Sequence, residues 1–444
     1  MQIVRVDNPL TTPIFTQSYI SLGDIEDSIS ALPGAPQKDA TSAQTILTND
    51  RRAQNAVWRD NALWTTFEIL PVSGTDSGQV TVHWLKLNTG NLASLTVADQ
   101  GNVGGEDIAA GTYTFFPSIA VDPCGNMALG FAASASTIYP GAYYTGRAAS
   151  DAVGTVQATG TLQAGTDFYY RAFGGTRNRW GDYSGISLDP ADEATFWVFN
   201  EYAMTRGTII SGEDGRWATQ YGSFRIHTGG FDFGDLPSSY GITLRADNGA
   251  RHCAFPSGLR LGALIDAEAE AWQSSDATGD DSHADADEAG VTRANVPWQN
   301  GANGGAVNIT VSGDSGVLYG WIDWNGNNSF ADTGEQVING AAVSAGTTPI
   351  QFNVPIGTFP GTGPNRTFNA RFRLYPSAPI NPTTAWTGTA PGGEVEDYQW
   401  GFTPTAVGLS NLNAATAVAP AGISAAGVGL AMLGAWVLIR RRRR

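Results

Sequence analysis

Short runs of alternating apolar and polar residues, interrupted by Gly, Pro, Asn and Asp, fill most of this chain. Alternation with a period of two marks half-buried strands, and few windows show the helical period. One pattern recurs three times in the first half. Asn55–Trp64, Pro117–Asn126 and Tyr183–Asp192 each read as a short strand running into an Asp-centred turn. An apolar strand follows each time, at Leu63–Ile69, Met127–Phe131 and Phe196–Phe199. The Asp-Pro pairs at 122–123 and 189–190 favour a tight turn. Further strands, such as Val80–Leu87 and Thr155–Leu162, lie between the turns. A repeat of roughly 65 residues built this way predicts four-stranded blades of a β-propeller.

The texture changes after a Gly/aromatic linker at 229–232. From Asp232 to Glu268 there is little periodicity, and an acidic loop follows. Val307–Val311, Gly316–Trp324, Gln351–Val354, Phe368–Tyr375 and Val395–Trp400 then alternate as strands of a β-sandwich do. The expected fold is all-β. A β-propeller-like region covers 1–228, an acidic linker or pre-domain segment 229–292, and a β-sandwich 293–403. A spacer at 404–419 leads to a transmembrane helix with an arginine tail at 420–444.

That last element rests on the stretch Pro420–Ile439, which carries no charge and is followed by Arg440 to Arg444. About nineteen largely apolar residues in a helix span ~28 Å, close to the hydrocarbon thickness of a bilayer. A terminal cationic cluster stays in the cytoplasm, which places the preceding domains outside. Met1–Asp24 has no basic segment followed by an apolar one, so a signal sequence and further blades are expected upstream of Met1. The tail resembles the tripartite sorting signals of bacterial surface proteins, which a membrane transpeptidase reads and cleaves. Its motif would fall near Pro404–Val407, and no Leu-Pro-x-Thr-Gly is present.

Acidic residues outnumber basic ones 41 to 25, giving a net charge of −16 over 444 residues. Such a surface repels phosphate and argues against nucleic acid as a partner. It suits solubility or binding of divalent cations. Two cysteines, Cys124 and Cys253, lie in separate segments without a framework or metal pattern, and are expected to be unpaired.

Candidate chemistry is concentrated in three places. In Trp321–Glu335, oxygen-bearing side chains recur at Asp323, Asn325, Asn327, Ser329, Asp332 and Glu335. Alternate positions of a tight loop converge, and Ca²⁺ takes six to eight oxygens, so a weak calcium site is expected there. The spacing is not that of an EF-hand. Asp280, Asp281, Asp285, Asp287 and Glu288, with Glu394, Glu396 and Asp397, are further candidates for binding cations. Glu394 and Glu396 share one face of a strand and Asp397 takes the other, which argues against a paired-acid glycosidase site. In the N-terminal region, Arg177, Arg179 and Asp182 are candidates for a ligand on the propeller face. The alternative role for this run is packing between blades by Trp180, Tyr183, Trp197 and Phe199, with a buried Arg179–Asp182 ion pair.

The Trp321–Glu335 block, Arg371–Leu374 and the hexapeptide Gly393–Tyr398 together resemble the GEVED domain of bacterial surface and secreted proteins. The upstream Asp232–Asp235 motif and the acidic loop to Val291 resemble the run that commonly precedes it. The resemblance implies a β-sandwich module of extracellular proteins and no catalytic activity. The run from Arg177 to Tyr202 loosely resembles sialidase-like propellers, with Arg177, Arg179, Asp182, Glu201 and Tyr202 supplying the residue types and Arg147 the nearest third arginine. Glu201 and Tyr202 are adjacent on a strand and face opposite ways. The expected function is therefore a non-enzymatic cell-surface or secreted protein of a bacterium. It would contact an extracellular glycan or protein in adhesion or matrix binding, with a calcium-stabilised sandwich and a C-terminal membrane segment. The alternative is a secreted sialidase-like or glycoside-processing enzyme.

Overall fold

A computed structural model describes residues 1–23, 25, 31–49, 51–226, 230–255, 258–279, 287–295, 297–359 and 364–402. They are all-β apart from two single turns of 3₁₀ helix, Ser238–Tyr240 and Arg245–Asp247. Contacts divide the chain into one unit of Met1–Thr358 with Thr367–Gly401 and another of Phe359–Arg366 with Phe402–Arg444.

The N-terminal half of the first unit contains three antiparallel meanders. The first joins Asn55–Arg59, Ala62–Ile69, Thr81–Asn88 and Thr96–Val103 in order. The second joins Tyr113–Val121, Met127–Ala135, Ile138–Arg147 and Gly160–Gln163. The third has three strands, Gly185–Leu188, Phe196–Met204 and Arg216–Phe224. The Asp-centred turns set their first hairpins. Asp60 and Asn61 both have positive φ, at 47° and 58°, as a two-residue turn matched to strand twist requires. Asp122 accepts the backbone N–H and the side-chain amide of Asn126 at 2.9 and 2.7 Å. Asp189 accepts the Ala191 N–H at 2.9 Å and the Trp197 indole N–H at 2.9 Å.

Apolar faces join the meanders in succession. Trp64, Trp84, Ile119, Leu129 and Phe131 form one core between the first and second. Ala120, Ala128 and Phe196, with Ile186 and Phe224, join the second to the third. The expected propeller is nevertheless overturned, because no sheet in the described chain closes into a ring. The stack has two ends instead. At one, the hairpin of Gln2–Asp7 and Ile14–Tyr19 brings Met1, Ile3, Ile20 and Leu22 over Phe67, Ile69, Leu85 and Leu87. At the other, the third meander keeps an open face.

Two four-stranded sheets build the sandwich. One centres on Gly301–Ser312, paired with Arg260–Leu261, Val291–Ala294 and Gly346–Val354. The other runs Gln336–Val343, Gly316–Ile322, Arg366–Tyr375, Glu394–Phe402. Between them Trp298 meets Phe352 and Trp400 at 5.1 and 5.5 Å, and Trp324 meets Phe368 at 5.3 Å. Two stretches of the acidic pre-domain segment, Arg260–Leu261 and Val291, are thus sandwich strands. Leu236, Tyr240, Ala385 and Ala390 cover the outer face of the second sheet, over Tyr319, Trp321 and Tyr375. This sheet is therefore buried on both sides.

Contrary to expectation, Cys124 and Cys253 form a disulfide that ties the Asp122 turn to the strand Arg251–Cys253. Arg251 reinforces the junction through Glu193 at 2.6 Å. The separation of 129 residues hid this pairing, since only the fold brings the turn and the strand together. The expected helix over 420–444 lies outside the described residues. Among the described residues no helix is long and apolar enough to cross a membrane, and that expectation is not carried forward.

Candidate functional site

The strand Glu394–Phe402 organises the charged interior of the sandwich. Gly393, just before it, has φ +87°, and a Cβ there would stand 1.8 Å from the Leu374 carbonyl oxygen, so only glycine fits. Strand alternation then sends Glu394 and Glu396 to the side of Tyr398 and Trp400, and Asp397 to the other, as the sequence predicts. All three acids are at most 1% exposed.

Asp397 meets Arg371 through two bonds, Nε–Oδ1 at 2.7 Å and Nη2–Oδ2 at 2.6 Å, and also accepts the Leu236 N–H at 3.0 Å. In return Asp232 accepts the Val395 N–H at 2.7 Å. The Asp232–Asp235 motif and the Gly393–Tyr398 motif therefore clasp each other through reciprocal carboxylate-to-backbone bonds. Gly234 lies against this clasp, where a Cβ would come within 2.5 Å of Asp397 Oδ2 and 2.6 Å of Arg371 Nη2. The motif has its glycine because the ion pair occupies that space.

Arg373 is buried without a carboxylate. It donates to the carbonyls of Ala385 and Thr387 at 2.7 Å each and of Gly388 at 2.8 Å, and its Nε donates to His252 Nε2 at 2.9 Å. That last bond fixes the His252 proton on Nδ1, which donates to the Gly392 carbonyl at 2.8 Å. Burial, with Arg373 beside it, holds the His252 pKa well below its ordinary value. Burial likewise lowers Arg373 to about 10.

The two glutamates have different company. Glu396 accepts the Gly290 N–H at 2.7 Å and the Tyr398 hydroxyl at 3.0 Å. Glu394 Oε2 accepts the Leu261 N–H, while its Oε1 is buried without a hydrogen-bond partner. Burial raises the Glu394 carboxyl well above the usual range, and the charges of Glu396, Asp232 and Asp287 add to it. Burial pushes Glu396 up to about 8. Asp287 is buried in this neighbourhood, and Glu288 is half-buried. Asp280, Asp281 and Asp285 lie outside the described residues.

The loop after Ile322 closes on itself. Asp323 accepts the N–H groups of Gly326, Asn327 and Asn328 at 2.7, 3.2 and 2.9 Å and the Tyr240 hydroxyl at 2.8 Å. Asp332 accepts both the Asn325 and Asn327 side-chain amides, at 3.0 and 2.7 Å. Ser329 accepts the Ala331 N–H at 3.1 Å. Glu335 accepts the Asp332 N–H at 3.2 Å, keeps one buried oxygen without a partner, and is pushed up to about 7 by burial. The structure thus gathers the six expected residues into one loop, with most of their oxygens already engaged. Among the described residues no three His, Cys, Asp or Glu side chains form a ready-made metal-ligand set.

The three arginines of the sialidase-like resemblance lie in different surroundings. Arg147 is buried in the second meander against Asp99 at 3.2 Å and the Trp84 ring. Arg177 is exposed, and the Arg179–Asp182 ion pair is exposed rather than buried. Glu201 accepts the Gly181 N–H at 3.1 Å. Trp180 is a core residue packed edge-on against Tyr169 at 5.3 Å. Tyr183, Trp197 and Phe199, read as possible packing between blades, are instead open to solvent, with Tyr221 beside Phe199 in register. Trp197, Phe199 and Tyr221 line a cleft of about 300 Å³ with Gly185 and Ser187. Packing between blades needs a following layer, and among the described residues none covers Trp197 and Phe199.

Residues 317–400 match the GEVED domain, which confirms the resemblance for that segment. No curated protein matches the chain. An exo-β-1,3-galactanase from Phanerochaete chrysosporium, solved with galactose, aligns over 73% of this chain and 94% of its own. At 9% identity and a TM-score of 0.22, that likeness carries no inference.

Proposed function

We propose that this chain is a non-enzymatic extracytoplasmic protein that binds a glycan through the open aromatic face of its third meander, with a sandwich stabilised by calcium. The supporting observation is the contrast in where acids and aromatics lie. Glu394, Glu396 and Asp397, the acids nearest in sequence to a glycosidase pair, are buried and hold backbone or arginine. Trp197, Phe199 and Tyr221 stand exposed on neighbouring strands. Trp197 is held in orientation by Asp189 before any ligand arrives, which reduces the ordering cost of binding. Exposed apolar surface of this kind marks an interaction site, and a sugar ring presents a C–H face that stacks on such rings. A disulfide suits an oxidising, extracytoplasmic compartment, as does a GEVED domain.

A glycan array probed with the whole chain, followed by calorimetric titration of any hit, tests the reading. Binding to a glycan that Trp197→Ala and Tyr221→Ala each weaken by roughly tenfold supports it. Binding unaffected by both variants, or hydrolysis of the bound glycan, contradicts it.

A further inference from the structure

We infer that the sandwich interior between Asp232, Asp287, Glu394 and Glu396 is a binding site for one divalent cation, with calcium the best match for its all-oxygen donors. This deepens the calcium reading above by moving the ion away from the Asp323–Glu335 loop, and it rests on that reading.

Composition and burial start the case. Four carboxyls from three separated stretches of sequence are buried in the protein interior, each at most 4% exposed, and Glu394 feels the charges of the other three. An isolated carboxylate is too costly to bury unless it is paired, hydrogen-bonded or neutralised. Asp397, one residue from Glu396, has Arg371 for this purpose. Among the described residues neither Glu394 nor Glu396 makes an ion pair with Arg, Lys or His. The largest charges that Glu394 feels are the negative ones of Glu396, Asp232 and Asp287. Glu268, nearby, likewise feels Asp232.

Geometry supplies the second observation. Glu394 is 0% exposed, and its Oε1 has no hydrogen-bond partner although Oε2 is tied to Leu261. A buried carboxylate oxygen left unused among like charges is what a cation would occupy. The other three acids are steered by hydrogen bonds: Asp232 accepts the Val395 N–H, Asp287 the Asp266 N–H, and Glu396 the Gly290 N–H at one oxygen and the Tyr398 hydroxyl at the other. Bonds of this kind orient ligands around a metal from outside the coordination sphere. In the Asp323 loop Glu335 also keeps a buried oxygen without a partner, but Asp323 already serves four donors and Asp332 two. The carboxyls of the interior do not form a finished ligand set as they stand, so the ion would draw Glu394 Oε1 and its neighbours inward.

The ligand to add is the metal alone. Chelator-treated full-length chain is titrated with CaCl₂ by calorimetry, and crystals soaked in TbCl₃ locate the ion by anomalous scattering. The expected results are one site, an affinity at least roughly tenfold weaker in Glu394→Gln, and an anomalous peak beside Glu394 and Glu396. Should Glu394→Gln fail to fold, the wild-type crystal decides. A peak within the Asp323–Glu335 loop instead overturns the site while leaving a calcium-stabilised sandwich in place. No calcium binding by the wild-type chain, and no terbium peak, overturns both.

Discussion

Trp64, Trp84 and Phe131 in the meanders hold the same kind of position as Arg371, Arg373 and Asp397 in the sandwich: a sheet face covered by the next layer. In the meanders that layer is another apolar sheet, and contact is non-directional. Such layers can be stacked, and the stack stops where a hairpin covers one end and the aromatic row of Trp197, Phe199 and Tyr221 faces solvent at the other. In the sandwich the covering layer is a short sheet of Phe231–Phe233, Arg251–Cys253 and Thr389–Ala390 with largely irregular chain at 234–244 and 384–388. Irregular backbone must have its polar groups satisfied, and here buried arginines and carboxylates do so. Apolar stacking leaves a face free for a ligand, whereas the clasp commits Asp397 to Arg371 and the Leu236 backbone in holding the fold.

The difference can be broken most forcefully at Arg371. Arg371→Lys keeps the charge but loses the two-bond geometry with Asp397, and is expected to destabilise by about 3 kcal/mol or more in urea unfolding. A loss below about 1 kcal/mol would mean the clasp matters little. Removing the link between the two regions comes next: Cys124→Ala with Cys253→Ala should cost about 2–5 kcal/mol. The same unfolding experiment should then show two transitions, one for each region. In the meanders a conservative swap should pass almost unnoticed, with Leu129→Met costing under about 1.5 kcal/mol.

The smallest effect is a pH slope. His252 is buried neutral with its pKa held below 6.5, so the unfolded chain takes up a proton that the folded chain refuses. Its contribution to stability is complete above pH 6.5 and is lost as the pH falls below it. Comparing wild type with His252→Gln between pH 7.5 and 5 should show the steeper acid loss in wild type. Parallel curves would mean that folding leaves the His252 pKa unshifted, which would contradict its neutral burial.

What the sequence disclosed follows from the same contrast. Period-two alternation located the hairpins around Asp60, Asp122 and Asp189 and the main sandwich strands, because apolar faces leave a local pattern. The short strands at Arg260–Leu261 and Val291–Ala294 were missed, since two to four residues leave too short a pattern to read and what holds them is pairing with Gly301–Ser312. Ring closure was misjudged because a blade-like repeat specifies how neighbours stack and not whether the last meets the first. Arg371 and Arg373 alternate with Phe372 and Leu374 as if facing water; nothing local announces that a second layer buries them. The Cys124–Cys253 bond and the meeting of Asp232 with Val395 are likewise products of the fold.

The claim that the acids of the GEVED strand are structural is tested most directly by the melting temperature of Asp397→Asn in the full-length chain. Loss of one partner from a fully buried ion pair, at about 3–5 kcal/mol, predicts a fall of roughly 6–20 °C, with glycan binding retained below the transition. An unchanged melting temperature, accompanied by loss of a glycan-cleaving activity, would contradict the account.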